Sequence, residues 1–173
     1  LDPDRVRYPK GLNPGEFSGD QYHLMHSVRE EGIARDRDWG SAWRQLTPEF
    51  GGAVALAYRD AAVAFWRPYV PDLRSEGAAT GSTPFALIFA MAGIAIEFDE
   101  TENFFTALSD EDVRHALRYV TWELNGFPRW FEPLYRSHPK AGLEAIAKEL
   151  IWELEHSKAD QPTHHILHDI LYH

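Results

Sequence analysis

The stretch HPKAGLEAIAKELIWEL, residues 138–154, carries the clearest helical pattern in the chain. Proline follows His138 directly, and proline is well tolerated in the first turn of a helix, where the backbone amides have no intrahelical partner. Its apolar residues recur at helical spacing without a gap: Leu143, Ile146, Ala147, Leu150, Ile151 and Leu154. The pattern predicts an amphipathic helix over 138–154.

Similar signals on both sides predict further helices. Thr47-Pro48-Glu49 and Thr83-Pro84 place a capping hydroxyl before a first-turn proline, and Ser109 precedes Asp112 by three residues, as in a capping box. The helix after Thr83 is apolar on nearly every side through Ile96, so we expect it at the centre of the core. The remaining predicted helical segments are 20–35, 39–46, 47–66, 109–124, 130–135 and 162–173. Residues 67–82, with two prolines and two glycines, are predicted to be the one long connection.

These helices predict an all-α fold, since no segment alternates apolar and polar residues as a half-buried strand does. We expect antiparallel helical hairpins, arranged either as a HEAT-like α-solenoid or as an orthogonal helical bundle. Residues 1–19 are interrupted too often by proline and glycine for regular structure and are predicted to be an extended lead-in, followed by one all-α domain over 20–173. The chain starts without methionine and stops inside an amphipathic pattern at His173, so we expect a fragment of a longer protein.

The composition excludes several classes of function. A net charge of −10 and an isoelectric point of about 5.3 disfavour a nucleic-acid partner, because that binding relies on clustered Lys and Arg. The apolar run 85–96 is shorter than the roughly 20 residues that cross a bilayer, so no membrane partner is expected. With no cysteine the chain fits a reducing compartment, and the expected location is the cytoplasm.

Histidines and acids near the C-terminal end of the chain offer the main candidate metal site. His164 and His168 are four residues apart on the last predicted helix, a spacing that allows two imidazoles to share a metal. Glu153 and His156 have the Glu-x-x-His spacing of carboxylate-bridged di-iron bundles, but a second copy of that motif is absent. A solvated face explains the same residues, so both interpretations stay open, and we expect no cofactor.

Nucleophile and nucleotide signatures are missing from the sequence. There is no cysteine nucleophile, no G-x-S-x-G elbow, no P-loop and no G-x-G-x-x-G motif. Trp122 and Trp152 lie away from the main apolar stripes of their helices, and if exposed they would mark a contact with a protein partner. Core packing is the alternative role for both indoles.

The segment WELNGFPRWF, residues 122–131, together with His138-Pro139 and Trp66-Arg67-Pro68, resembles helical-repeat regions of large bacterial NTPases of the STAND type, the NACHT-like group. The resemblance covers most of the chain beyond Trp39. It implies a helical part that senses a ligand or regulates assembly, while a separate module hydrolyses the nucleotide. We therefore expect a non-catalytic scaffold or sensor segment that contacts the remainder of its parent or another protein, with a metal-dependent helical-bundle enzyme as the alternative.

Overall fold

The computed structural model describes residues 1–13, 15–32, 40–79, 82–123, 126–157 and 164–172, with only the backbone for 29–32. Within these ranges the regular structure is entirely helical, which confirms the all-α prediction. The choice between a solenoid and an orthogonal bundle stays a prediction. The α-helices are α1 (Pro3–Arg7), α2 (Gly19–Gly32), α3 (Thr47–Phe50), α4 (Gly52–Phe65), α5 (Phe85–Glu100), α6 (Phe104–Ala107), α7 (Asp110–Leu117), α8 (Phe131–Ser137), α9 (Pro139–Glu155) and α10 (His165–Tyr172), with short 3-10 segments at Trp43–Leu46, Arg74–Glu76 and Val120–Trp122.

Contacts within the chain group into two compact units. Unit 1 comprises Leu1–Val70 and Pro84–Glu102, and unit 2 comprises Pro71–Thr83 and Asn103–His173. The prediction that 20–173 form one domain stays a prediction. None of the helices in the described ranges has both the length and the apolar character needed to cross a membrane.

Unit 1 is organised around α5, as its apolar sequence predicts. Every residue of α5 from Leu87 to Ile96 is buried. The helix packs along α4, and at Gly93 the two backbones approach so closely that a Cβ atom would lie 2.0 Å from the carbonyl oxygen of Ala62. Glycine at position 93 therefore allows α4 to pack closely against α5.

An aromatic cluster fills the other side of this helix pair. The ring of Phe89 lies 5.1 Å from Phe65, 5.5 Å from Tyr58 and 5.6 Å from Phe17, measured between centroids. The buried Tyr58 hydroxyl donates to the carbonyl oxygen of Gly40 at 2.9 Å, and burial raises the pKa of this phenol. Tyr58 thus stays a protonated donor and satisfies a carbonyl in the interior.

Two expectations for unit 1 are wrong. The extended lead-in contains α1, because the Asp2 side chain accepts a hydrogen bond from the Asp4 amide and Pro3 occupies the first turn. The single helix expected over 47–66 is divided at Gly51, whose φ of 83° is a conformation that favours glycine. Thr47 is consequently not a capping residue, since Leu46 occupies the N-cap position of α3.

In unit 2 the predicted cap at Ser109 is present, and the helix that follows it is shorter than predicted. The Ser109 side chain accepts from the Asp112 amide at 3.1 Å, which is the N-cap bond of a capping box, and its hydroxyl also donates to the Asp112 carboxylate at 2.8 Å. The helix it starts, α7, ends at Leu117 instead of 124, and Val120–Trp122 continues as a 3-10 segment. Leu124, the last residue of the helix predicted over 109–124, lies outside the described residues, as do Asn125, 158–163 and His173.

Candidate functional site

The outer face of α9 is apolar and exposed to solvent. Its helix bounds agree with the prediction for 138–154, but the side that faces the interior does not. Leu143 is 60% exposed, Ile151 55% and Leu154 45%. With 3.6 residues per turn they lie on one side together with the half-buried Ala147 and Leu150. We call these five residues the α9 stripe; a stripe of this kind normally faces the core, and here it does not.

The inner face of α9 buries two acids in place of the stripe. Its buried residues are Gly142, Ile146, Glu149 and Glu153. Glycine at 142 allows α8 to approach, since a Cβ there would lie 2.6 Å from the Tyr135 ring. A buried carboxylate is tolerated only when hydrogen bonds replace its lost hydration, so the partners of the two glutamates determine which side of α9 turns inward.

Glu149 binds the 3-10 segment Arg74–Glu76. Its carboxylate accepts hydrogen bonds from the backbone amide of Ser75, at 3.3 Å, and from the Ser75 hydroxyl. Glu149 is 2% exposed. The contact joins positions 74 residues apart in sequence and ties the connection 71–79 to α9.

Glu153 caps α10. Both of its carboxylate oxygens accept from the Ile166 amide at 3.1 Å, and one also accepts from the Leu167 amide at 3.2 Å. Amides in the first turn of a helix have no intrahelical acceptor and lie at the positive end of the helix dipole, so a carboxylate is their best partner. Glu149 and Glu153, one turn apart on α9, thus each satisfy backbone donors of another segment.

The candidate metal ligands are not arranged as a metal site. Among the described residues, no three His, Cys, Asp or Glu side chains are grouped so that they could hold a metal ion. Both Glu153 oxygens are used by α10 amides, and His156 Nδ1 bonds the Trp152 carbonyl oxygen at 2.9 Å. His168 is exposed, with its Nδ1 3.5 Å from Asp169 Oδ1, and His164 is half-buried just before α10. The hypothesis of a metal-dependent enzyme gains no support from this geometry.

The two candidate interaction tryptophans differ in exposure. Trp122 is 6% exposed, and its Nε1 donates to the Asp72 carbonyl oxygen at 3.2 Å. The condition of exposure therefore fails for Trp122, because its indole is needed to satisfy a backbone carbonyl of the 71–79 connection. Trp152 is half-buried and stacks on His156 at 4.7 Å between centroids. The exposed apolar surface of α9 lies at the α9 stripe.

A groove of about 800 Å³ runs between α7 and α9. Its charged lining residues balance, so the groove favours neither an anion nor a cation by charge alone. The basic lining residues are Arg114, Arg118, Lys140 and Lys148, and the acidic ones are Asp110, Glu111, Glu144 and Glu149.

Glu76 joins Arg118 and Lys148 at the surface of unit 2. Its carboxylate accepts from Arg118 Nη2 at 2.5 Å and from Lys148 Nζ at 2.9 Å. Arg118 also donates to the Pro71 carbonyl oxygen, at 2.7 and 3.0 Å. Hydrogen bonds from Arg118 and then from Lys148 lower the pKa of Glu76 from 4.5 to about 2.

Replacing Glu76 by glutamine is expected to remove part of the acid sensitivity of the fold. A carboxyl group with a lowered folded pKa stabilises the protein above its unfolded pKa of 4.5, and this stability is lost as the pH falls towards 2. Urea unfolding of the native chain and of Glu76→Gln should differ most above about pH 5 and converge near pH 2. A difference that does not change with pH would contradict this role. Glu132→Gln, at an exposed pair with Arg136, is the control.

Two Trp-Arg pairs in unit 1 form a polar cluster that sequence reasoning missed. Trp66 Nε1 donates to Glu97 at 2.7 Å, and Arg67 adds two hydrogen bonds to the same carboxylate at 2.9 and 3.0 Å. The Arg67 guanidinium lies over the Trp66 ring, 4.2 Å from its centroid. The repeated Trp-Arg dipeptide is the only signal for this cluster in the sequence.

The second pair repeats the arrangement one turn further along α5. Trp43 Nε1 donates to Glu100 at 3.0 Å, Arg44 stacks on Trp43 at 4.2 Å, and Arg59 binds the other carboxylate oxygen at 2.7 Å. The C-terminal end of a helix carries a partial negative charge, so the carboxylates of Glu97 and Glu100 are unfavourable there by themselves. The arginine side chains that bind them offset this repulsion. The cluster thus stabilises the end of α5.

Comparison with protein-family models, with curated proteins and with solved structures found no match for this chain.

Proposed function

We propose that this chain is a non-catalytic helical scaffold or sensor segment of a larger intracellular protein, and that it binds protein through the α9 stripe. The observation that supports this most is the exposure of Leu143, Ile151 and Leu154 on one side of a long helix. Contiguous exposed apolar surface of this kind is typical of protein interaction sites.

The energy available from the stripe is enough to matter. Full burial of a leucine or isoleucine side chain contributes about 1.5–3 kcal/mol, so covering the exposed half of three such side chains would contribute roughly 2–4 kcal/mol. The stripe is also held in place, because Glu149 and Glu153 fix the inner face of α9. A pre-organised surface loses little entropy on binding.

The resemblance to STAND-type helical regions agrees with this proposal. It would make the chain the part that senses a ligand or regulates assembly, with nucleotide hydrolysis located elsewhere in the parent. The sequence itself has no phosphate-binding loop, so the proposal assigns no nucleotide to this chain.

A photo-crosslinking residue placed at Leu143 tests the proposal. In the cells that make the protein, the label at Leu143 should give a crosslinked product of defined mass, because the stripe is covered there. The same label at Val70, which is 58% exposed on unit 1, should not. Equal yields from both positions, or no product from either, would contradict an interaction site at the stripe.

A further inference from the structure

We infer that the partner of the α9 stripe is a second copy of this chain, paired through two antiparallel α9 helices about a twofold axis. The inference rests on the proposed function and specifies its partner.

The apolar order of the stripe is self-complementary in an antiparallel pair. When Leu143 lies opposite Leu154 of the second copy, Ala147 lies opposite Leu150 of that copy, because the two pairs share one centre. A small side chain, Ala147, thus faces a large one, Leu150, in the middle of the contact, and Leu143 faces Leu154 at each end. This is the alternation that allows facing helices to interdigitate.

The charges beside the stripe favour the same orientation. Along one flank of α9 they alternate in the order Lys140, Glu144, Lys148 and Glu155. In an antiparallel pair the same flanks face each other and run in opposite directions, so Lys140 approaches Glu155 of the second copy. Lys148 lies at the centre of the pair and keeps its ion pair with Glu76 of its own chain. A parallel pair brings identical residues level with one another and gives no such match.

These flanking charges are available. Lys140, Glu144 and Glu155 are exposed, and within the described ranges their side chains form no hydrogen bond or ion pair. Lys148 is 51% exposed while it contacts Glu76. Twofold pairing is the commonest form of self-association, and it places the same patch of each copy in the contact.

Sedimentation equilibrium of the complete chain tests the inference. Two helices bury less area than a standard interface, so the measurement has to extend to about 1 mM. We expect a monomer–dimer equilibrium whose Kd rises about tenfold or more in Leu143→Glu. Val70→Glu, which adds the same charge at a similarly exposed apolar residue, should leave the Kd unchanged. Circular dichroism of both variants checks that the helices are intact.

A charge exchange distinguishes the antiparallel pair from nonspecific adhesion. Lys140→Glu and Glu155→Lys should each weaken the dimer several-fold, and the double variant should restore the original Kd. Restoration supports the antiparallel order. Additive weakening in the double variant would overturn that order.

Failure of self-pairing and failure of the α9 stripe as an interaction site give different results in these experiments. A chain that stays monomeric to about 1 mM while the Leu143 label captures one different protein would overturn self-pairing and support the interaction site. A monomer without any Leu143 product would overturn both. A Leu143 product of twice the chain mass supports the second copy.

Discussion

Gly93→Ala is expected to destabilise unit 1 by about 3 kcal/mol. The new Cβ would lie 2.0 Å from the Ala62 carbonyl oxygen and 2.7 Å from its carbonyl carbon, and backbone atoms cannot rotate away as a flexible side chain can. The helices α4 and α5 would have to separate, which opens the most extensive helix–helix contact in the unit. Urea unfolding followed by circular dichroism measures the effect.

Gly52→Ala provides the matched control. Gly52 begins α4, and a Cβ there meets no atom within 4 Å. Alanine at that position should be neutral or stabilise by up to about 1 kcal/mol, because it reduces the freedom of the unfolded chain. If the two variants are equally stable, the close packing of α5 on α4 is not present in solution.

Glu153→Ala is expected to cost about 2–3 kcal/mol, since it leaves backbone donors of α10 without their charged acceptor. The Ile166 and Leu167 amides should lose their protection from hydrogen exchange before the rest of unit 2 does. Glu153→Gln keeps the shape and one acceptor oxygen but brings donors towards the same amides, so an intermediate loss is expected.

Glu155→Ala is the control for this pair, because Glu155 is exposed on the same turn of α9. It should change stability by less than about 0.5 kcal/mol. Unchanged exchange at Ile166 and Leu167 in Glu153→Ala would show that α10 does not depend on this cap.

Local signals in the sequence predicted the cap at Ser109 and the burial of α5, and they failed at Thr47, which does not cap α3. Ser109 and Asp112 are three residues apart, and the cap they predict is present. The run Leu87–Ile96 has no polar side, so burial on all sides needed no further information. The division at Gly51 was missed because glycine tolerates both helical and positive φ, and the sequence alone does not choose between them.

Long-range hydrogen bonds account for the errors at the candidate site. Apolar spacing predicted α9 correctly but suggested that its apolar side faces inward. Glu149 and Glu153 instead accept amides 74 and 13 residues away, and no local pattern marks those partners. The Trp66–Glu97 and Trp43–Glu100 contacts were missed for the same reason, since they join residues 31 and 57 positions apart.

The sequence by itself determined that the chain is all-α, where α9 and α5 lie, and that α5 belongs in a core. Helical periodicity, caps and prolines act within a few residues, so they can be read from the order of amino acids. Only the tertiary structure decided that α9 turns its acids inward and its leucines outward. That choice depends on which distant backbone amides need a carboxylate, because a buried charge is stable only beside its donors.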